Sequence, residues 1–180
     1  MKMLILFVSF IIFLQLDKNG LIYDFDEMES ISNWTVVDDR VMGGKSRGNI
    51  HLNEEGNGVY SGIVSTENNG GFSSVRMQFY KKNVSKYNAV LLKLKGDQKN
   101  YQFRIKSTAG QEHTYVSTFK TNGEWQEIRI PFNQFKPQYR GRSLDKPNYP
   151  GEQMEEIAFL IGNKNNESFK LEIDYISLIK

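Results

Sequence analysis

The chain has no cysteine among its 180 residues, and it has only two histidines, His51 and His113. Without cysteine it can form no disulfide, use no thiol nucleophile and offer no thiolate to a metal ion. The same scarcity of histidine excludes a histidine-rich metal site. The chain also has no large excess of positive or negative charge, since it has 23 basic and 21 acidic residues. A dedicated nucleic-acid-binding protein concentrates positive charge on one face, so we predict no nucleic-acid partner.

Long hydrophobic runs are also scarce, and the exception is the run from Met3 to Leu14, which follows Lys2. A basic start and an apolar run of this length are typical of a secretory signal, and the run is shorter than the roughly 20 residues of a membrane-spanning helix. No Ala-x-Ala cleavage site follows it. We expect residues 1–16 to lie outside the folded domain and to act in targeting. From Met1–Leu14 we favour an exported or membrane-associated protein, with a cytoplasmic one as the alternative.

The rest of the chain consists of short apolar or alternating runs separated by turn residues such as Asn68-Asn69-Gly70-Gly71. No long stretch has the helical period, so the pattern predicts an all-β fold with a single sandwich domain over residues 21–180. The segment 133–153 is predicted to be a long polar loop, and long ordered loops are often functional. Alternation with a period of two residues predicts a core that includes Trp34, Val75, Phe79, Leu92, Leu94, Phe103, Ile128, Ile130, Phe159 and Ile173.

The same alternation predicts a polar outer face. Arg76, Arg104 and Trp125 each fall on the side opposite the core residues of their own runs. We predict that they share one sheet face that can bind a ligand, together with several tyrosines. The alternative is a solvated outer face on which a loop covers Trp125, because exposed strand faces are routinely charged.

The stretch Trp34–Ser46 combines an aromatic anchor, a charge cluster that contains Asp39 and Arg40, and the flexible pair Gly43-Gly44. We predict that this turn meets the glycine-rich turn before Arg76, and that Asp39 orients the Arg76 guanidinium at a recognition edge. The alternative is that both charges are solvated and contribute less than about 1 kcal/mol.

Residues for catalysis are few, and we predict that the chain is not an enzyme. The serines beside the glycine turns have no adjacent base, and neither histidine has neighbours that mark it as one. Oxygen ligands are available from Asp24, Asp26 and Asp174, near the first and last predicted strands. They favour a structural calcium ion over other metals, with ordinary surface acids as the alternative. We expect no other cofactor.

Two long motifs carry a family resemblance, Trp34–Ser46 and Asn68–Arg76. Shorter matches occur at Gly96-Asp97, Tyr101, Phe103-Arg104, Gly123-Glu124-Trp125, Ile130-Pro131-Phe132, Arg140-Gly141-Arg142 and Leu171–Ile176. In these residues the chain resembles the complex I intermediate-associated protein 30 family over nearly all of its length after Leu21. The resemblance implies a jelly-roll β-sandwich of the galactose-binding-like type. Mitochondrial members are assembly factors that help to build the membrane arm of respiratory complex I, so it also implies a protein partner, a membrane complex or its assembly intermediate.

The N-terminus departs from the mitochondrial pattern, since Met1–Leu16 has one basic residue and no arginine, whereas transit peptides are arginine-rich.

Two functions therefore stay open. One is a protein-binding assembly factor that uses the polar face and the loop with Arg140 and Arg142. The other is an exported carbohydrate-binding module in which Trp125 and nearby tyrosines stack on sugar rings. The sequence leaves the oligomeric state open. The candidate binding residues are Asp39, Arg40, Arg76, Arg104, Trp125, Arg140 and Arg142.

Overall fold

The structure, a computed structural model, describes residues 19–27 and 30–180. The segment 1–16, which we expect to act in targeting, lies outside the described residues. Short 3-10 helices occur at Asp39–Met42, Glu67–Asn69 and Phe132–Gln134. The strands are β1 Leu21–Asp24, β2 Trp34–Asp38, β3 Arg47–Leu52, β4 Gly58–Val64, β5 Ser73–Asn83, β6 Ala89–Gly96, β7 Asn100–Lys106, β8 Thr114–Lys120, β9 Trp125–Pro131, β10 Lys136–Tyr139, β11 Arg142–Ser143, β12 Gln153–Ile161 and β13 Glu167–Ile179.

The strands form two antiparallel sheets that face each other. The front sheet has seven strands in the order β11-β10-β8-β7-β12-β5-β2. The back sheet has six, in the order β3-β4-β13-β6-β9 with β1 beside β13. Strands that neighbour each other in a sheet are often distant in the chain, as β12 is from β5 and β13 is from β4. This is a jelly-roll β-sandwich, which confirms the predicted fold class.

The core lies between the sheets and confirms the alternation that predicted it. Eight of the ten expected core residues are buried, and Phe79 and Ile128 are partly buried against them. Aromatic rings fill the centre: the Phe103 and Phe159 centroids are 5.0 Å apart, and Trp34 stacks on Phe25 at 5.6 Å. Large aromatic side chains bury much apolar area, so this cluster joins the two sheets.

The expected long loop at 133–153 is partly wrong, because it contains β10 and β11. These strands form a hairpin that adds to the edge of the front sheet through β8. Arg140 and Gly141 make its turn with φ of 47° and 76°, as a type I′ turn requires. The segment looked irregular because Pro137 interrupts β10, and proline is tolerated in strands near a sheet edge.

Candidate functional site

Asp39 lies at one end of the sandwich, in the 3-10 helix that follows β2, and its side chain is fully buried. Its carboxylate accepts hydrogen bonds from the amides of Ser46 at 3.0 Å, Gly71 at 2.6 Å and Phe72 at 3.2 Å. The Ser46 hydroxyl also donates to it. One carboxylate therefore ties the turn after β2 to the turn before β5.

The ionisation of Asp39 follows from these contacts. Burial raises the pKa of a carboxyl group, but the hydrogen bonds from Ser46, Gly71 and Phe72 outweigh it here and lower the pKa of Asp39 below its ordinary value. Donors aimed at a carboxylate stabilise its charged form. Asp39 is therefore a buried anion at neutral pH.

The neighbouring carboxylate of Asp38 links the two sheets. It accepts a hydrogen bond from the Gly48 amide at 3.0 Å, in β3 of the back sheet. It also accepts one from the Ser73 hydroxyl at 2.6 Å, in β5 of the front sheet. The Tyr60 hydroxyl donates to Ser73 in turn at 2.8 Å. Both carboxylates of the charge cluster are thus engaged in holding the fold.

The predicted pair between Asp39 and Arg76 is wrong, although the two turns do meet as expected. Among the described residues, neither Asp39 nor Arg76 takes part in an ion pair. The physical reason is direction: Asp39 points into the end of the sandwich, whereas Arg76 projects from the outer face of the front sheet, opposite Thr35 and Ala158. Backbone amides of the glycine-rich turn reach the buried carboxylate directly.

A groove on the outer face of the front sheet collects several of the predicted site residues. We call it the front groove, and its volume is about 220 Å³. Ala158 and Leu160 of β12, each 6% exposed, form an apolar floor. The groove is lined by Val37, Phe72, Ser74, Arg76, Arg104, Ile105, Lys106, Glu112, Thr114, Gln138, Tyr139, Arg140, Glu156, Ala158 and Leu160.

Strand register places two arginines on either side of the groove floor. Ala158 is opposite Arg76 on β5 and opposite Arg104 on β7. Residues opposite each other in antiparallel strands lie on the same face of the sheet. The two arginines therefore flank the small Ala158 side chain, and the structure confirms that they share one face.

Arg104 is a partly buried cation of the front groove. Its Nε and Nη2 both donate to the Gln102 side-chain oxygen, at 3.0 and 2.7 Å. Burial lowers the pKa of Arg104 to about 10, so the guanidinium keeps its charge at neutral pH. Within the described part of the chain, no carboxylate lies within 4.0 Å of it.

Glu156, an acid in the lining of the front groove, already has partners within the chain. Glu156 is only 4% exposed, and it accepts a hydrogen bond from the Gln78 amide at 2.7 Å. Its second oxygen lies 3.7 Å from the Lys106 ammonium. Glu156 thus compensates Lys106 and leaves the charges of Arg76 and Arg104 unpaired.

The other predicted binding residues are dispersed. Arg140 lines the groove and packs over the Tyr139 ring at 5.3 Å. Arg142 is exposed on the edge strand β11, and Arg40 is exposed at the Asp39 end. Trp125 starts β9, the edge of the back sheet, so the prediction that it shares a face with Arg76 is wrong. Alternation shows which side of a strand is polar, but not which sheet the strand joins.

Some groove residues were absent from the sequence-based candidates. Glu156 and Ala158 lie in β12, a central strand whose side chains are mostly buried on both faces, so alternation was masked there. Tyr139 is 39% exposed beside the groove. Tyr80, 99% exposed on β5, is not among the residues that line the groove, and its two-residue spacing from Gln78 and Arg76 predicts that it lies on the same polar side of its strand.

The acids considered for calcium do lie near one another. Burial and the charges of Asp26 and Asp174 raise the pKa of Asp24, and burial and the charge of Asp26 raise that of Asp174. Lys93 approaches Asp174 at 3.8 Å. No group of three or more acidic, histidine or cysteine side chains in residues 19–27 and 30–180 is placed to hold a metal ion. The calcium ion stays a prediction.

Among the residues that the structure describes, none belongs to a helix long and apolar enough to cross a bilayer.

Comparison with protein families gives a match to the model described as complex I intermediate-associated protein 30, over residues 23–173. Similar relatives carry that name with the word mitochondrial. The Drosophila melanogaster protein is 24% identical, with 89% of this chain and 63% of the relative covered. The Mus musculus protein is 23% identical, with 91% of this chain and 57% of the relative covered. The chain thus spans between about half and two thirds of the length of these relatives.

Solved structures of similar shape support the fold. The family 11 carbohydrate-binding module from Clostridium thermocellum, in complex with a β-1,3-1,4-mixed-linked tetrasaccharide, has a TM-score of 0.64 and 22% identity. That match covers 89% of this chain and 94% of the module. An exo-β-agarase matches with a TM-score of 0.58 and 9% identity over 88% of this chain and 24% of the enzyme. At such identities the likeness concerns the jelly-roll architecture alone.

Proposed function

Because the chain belongs to the complex I intermediate-associated protein 30 family, we propose that it is a non-catalytic module that binds a protein partner during assembly of a membrane complex. The observation that carries the proposal is the front groove, in which Arg104 is enclosed, charged and unpaired. The relatives' names refer to an intermediate of complex I, which is the partner class we carry over to this chain.

The size of the groove favours a partner that inserts side chains. Sites for free small molecules typically enclose about 300–1,000 Å³, whereas the front groove encloses about 220 Å³. A protein surface that lies across the outer face of the front sheet can place one or two side chains into this volume. Interfaces are often anchored by arginine and tyrosine, and Arg104 and Tyr139 supply both here.

Affinity capture from native membranes tests this proposal. The tagged full chain is compared with the Arg76→Gln/Arg104→Gln double variant and with Arg47→Gln, a matched control on β3 of the back sheet. We expect the wild type and the control to capture subunits of one membrane complex. The double variant should capture at least about ten-fold less, as when an anchor of an interface is lost. Equal capture by all three proteins would contradict the proposal.

A second candidate function is carbohydrate binding on the same outer face. It is favoured by Tyr80, an almost fully exposed aromatic ring on β5, and by the tetrasaccharide bound to the structurally similar family 11 module. Exposed aromatic rings next to hydrogen-bonding groups suit sugar rings. A glycan array separates the two functions, because saturable binding that Tyr80→Ala abolishes would favour the sugar.

We also propose that the protein works at a membrane. The support is the apolar run Met3–Leu14 after Lys2, since such runs direct or attach proteins to membranes. Fractionation of cells that make the full chain tests this, with a variant that lacks residues 1–16 as the control. The full chain should sediment with membranes and the shortened chain should not. If a wash with buffer alone released all of the full chain from the membranes, this would contradict the proposal that the protein works at a membrane.

A further inference from the structure

We propose that the front groove binds a carboxylate group from an acidic segment of the partner protein, with Arg104 as the main ligand. This inference rests on the proposed protein-binding function and names the chemistry of the contact. It is carried by the charge of the groove, by the arrangement of the Arg104 guanidinium and by the position of Arg76.

The charge of the groove lining is unbalanced. Four basic side chains line it, against the acidic side chains of Glu112 and Glu156. Glu156 is engaged by Gln78 and Lys106, so it does not neutralise the arginines. A cation that is largely removed from water is costly unless an anion or several acceptors compensate it. The lining therefore complements a negatively charged partner group.

The Arg104 guanidinium is held in one orientation. Gln102 takes up the edge formed by Nε and Nη2. In the described residues Nη1 has no hydrogen-bond acceptor, although Arg104 lines the groove. A planar guanidinium fixed on one edge offers its remaining N–H groups in a defined direction, which suits a carboxylate.

Arg76 provides a second positive group for the same anion. Neighbouring strands are about 4.8 Å apart, so the backbones of Arg76 and Arg104, on either side of β12, are about 10 Å apart. Arg76 makes no hydrogen bond or ion pair with the part of the chain that the structure describes. Between them Ala158 has only a methyl group, which leaves room for a carboxylate to enter from above.

A titration with simple peptides tests the inference. Hexaglutamate is added to the full chain, and binding is followed by calorimetry and by the NMR signals of the arginine side chains. Hexaglutamine of the same length and trigalacturonate, an acidic sugar, are the comparison ligands. We expect hexaglutamate to bind, hexaglutamine not to bind, and the affinity for hexaglutamate to fall as salt is raised.

Variants locate the contact. Arg104→Gln should weaken hexaglutamate binding by at least about ten-fold, and Arg76→Gln by a smaller factor. Arg47→Gln, which removes the same charge from the back sheet, should have no effect. If Arg104→Gln does not fold, Arg104→Lys serves instead, because it keeps the charge but loses the fixed planar donor and should still weaken binding.

The outcomes separate this inference from the proposed function. Unchanged hexaglutamate affinity in Arg104→Gln would overturn the acidic-segment inference, since the binding would then be a general charge effect. Tighter binding of trigalacturonate than of hexaglutamate would overturn it in favour of an acidic sugar. If the groove double variant loses capture of the membrane complex while hexaglutamate does not bind at all, the protein-binding function stands and the acidic segment is wrong.

Discussion

Asp39 is a buried charge that is balanced by backbone amides and a serine hydroxyl instead of a cation. Hydrogen bonds to charged groups are stronger than those between neutral groups. The amides come from two turns that are distant in the chain, at Ser46 and at Gly71-Phe72. The residue therefore stabilises the end of the sandwich, and it does not touch the front groove.

Replacement of Asp39 by alanine should be strongly destabilising. It leaves the amides of Ser46, Gly71 and Phe72 without their buried acceptor, and we expect a loss of about 3–5 kcal/mol in the free energy of unfolding. Urea denaturation measures it. Arg40→Ala is the control, since this neighbour is exposed and its loss should cost about 0.5 kcal/mol or less. Similar losses for both variants would show that the Asp39 contacts do not hold the turns.

The stability that Asp39 provides should depend on pH. Burial raises the pKa of Asp39, but hydrogen bonds from Ser46 and from the Gly71-Phe72 turn bring it below the ordinary value of 3.8. An acid whose pKa is depressed by folding adds stability above its unfolded value, and this stability is lost as the pH falls through the folded value. The difference in free energy of unfolding between the wild type and Asp39→Asn should be full at pH 7 and shrink below pH 3.8. The expected change in this difference is about 1.4 kcal/mol for each unit by which folding lowers the pKa of Asp39. A difference that is constant down to pH 2 would contradict the prediction.

At the scale of elements, the two turns around Asp39 need glycine because of close packing. A Cβ atom added at Gly70 would lie 2.6 Å from the Asp39 Oδ2 and 2.9 Å from the Ser65 carbonyl oxygen. One added at Gly44 would also overlap the Asp39 carboxylate. Because that carboxylate is held by its hydrogen bonds, it cannot swing away cheaply. Glycine at these positions thus allows the turns to close on the buried charge.

Substitution of Gly70 by alanine should therefore lower the melting temperature. The overlap corresponds to a loss of about 1–3 kcal/mol, as for overpacking in a core, and thermal unfolding followed by circular dichroism measures it. Gly110→Ala is the matched control, since a Cβ atom there would meet nothing within 4 Å. It should leave the melting temperature unchanged or slightly higher, because alanine restricts the unfolded chain. A Gly70 variant as stable as this control would contradict the packing argument.

The alternation of side chains made much of this fold predictable at the scale of strands. On β7 it separated the buried Phe103 from the outward-facing Arg104, and it placed Arg76 on the outer side of β5. It did not show that Trp125 joins the back sheet, because the assignment of a strand to a sheet depends on pairings distant in sequence. The partners of Asp39 were also hidden, since backbone amides carry no residue-specific signal.

At the scale of the whole molecule, the two sheets have different outer faces. The front sheet has a groove lined by Arg76 and Arg104, neither of which forms an ion pair among the described residues. Outward side chains of the back sheet include Glu127, which accepts a hydrogen bond from Tyr175 at 2.6 Å, and Asp174, which lies 3.8 Å from Lys93. Both of these acids thus have partners within the chain. The central claim of the proposed function is that a partner binds across the front sheet and that the back sheet is a support.

Site-specific photo-crosslinking tests this claim most directly. A photoreactive phenylalanine derivative replaces Tyr139 beside the groove or Trp125 on the back sheet, two aromatic positions that are 39% and 38% exposed. After irradiation in native membranes, we predict a covalent adduct to a subunit of a membrane complex from position 139, and none from position 125. The adduct should be lost when Arg76→Gln and Arg104→Gln are added. An adduct from position 125 without one from position 139 would contradict the claim.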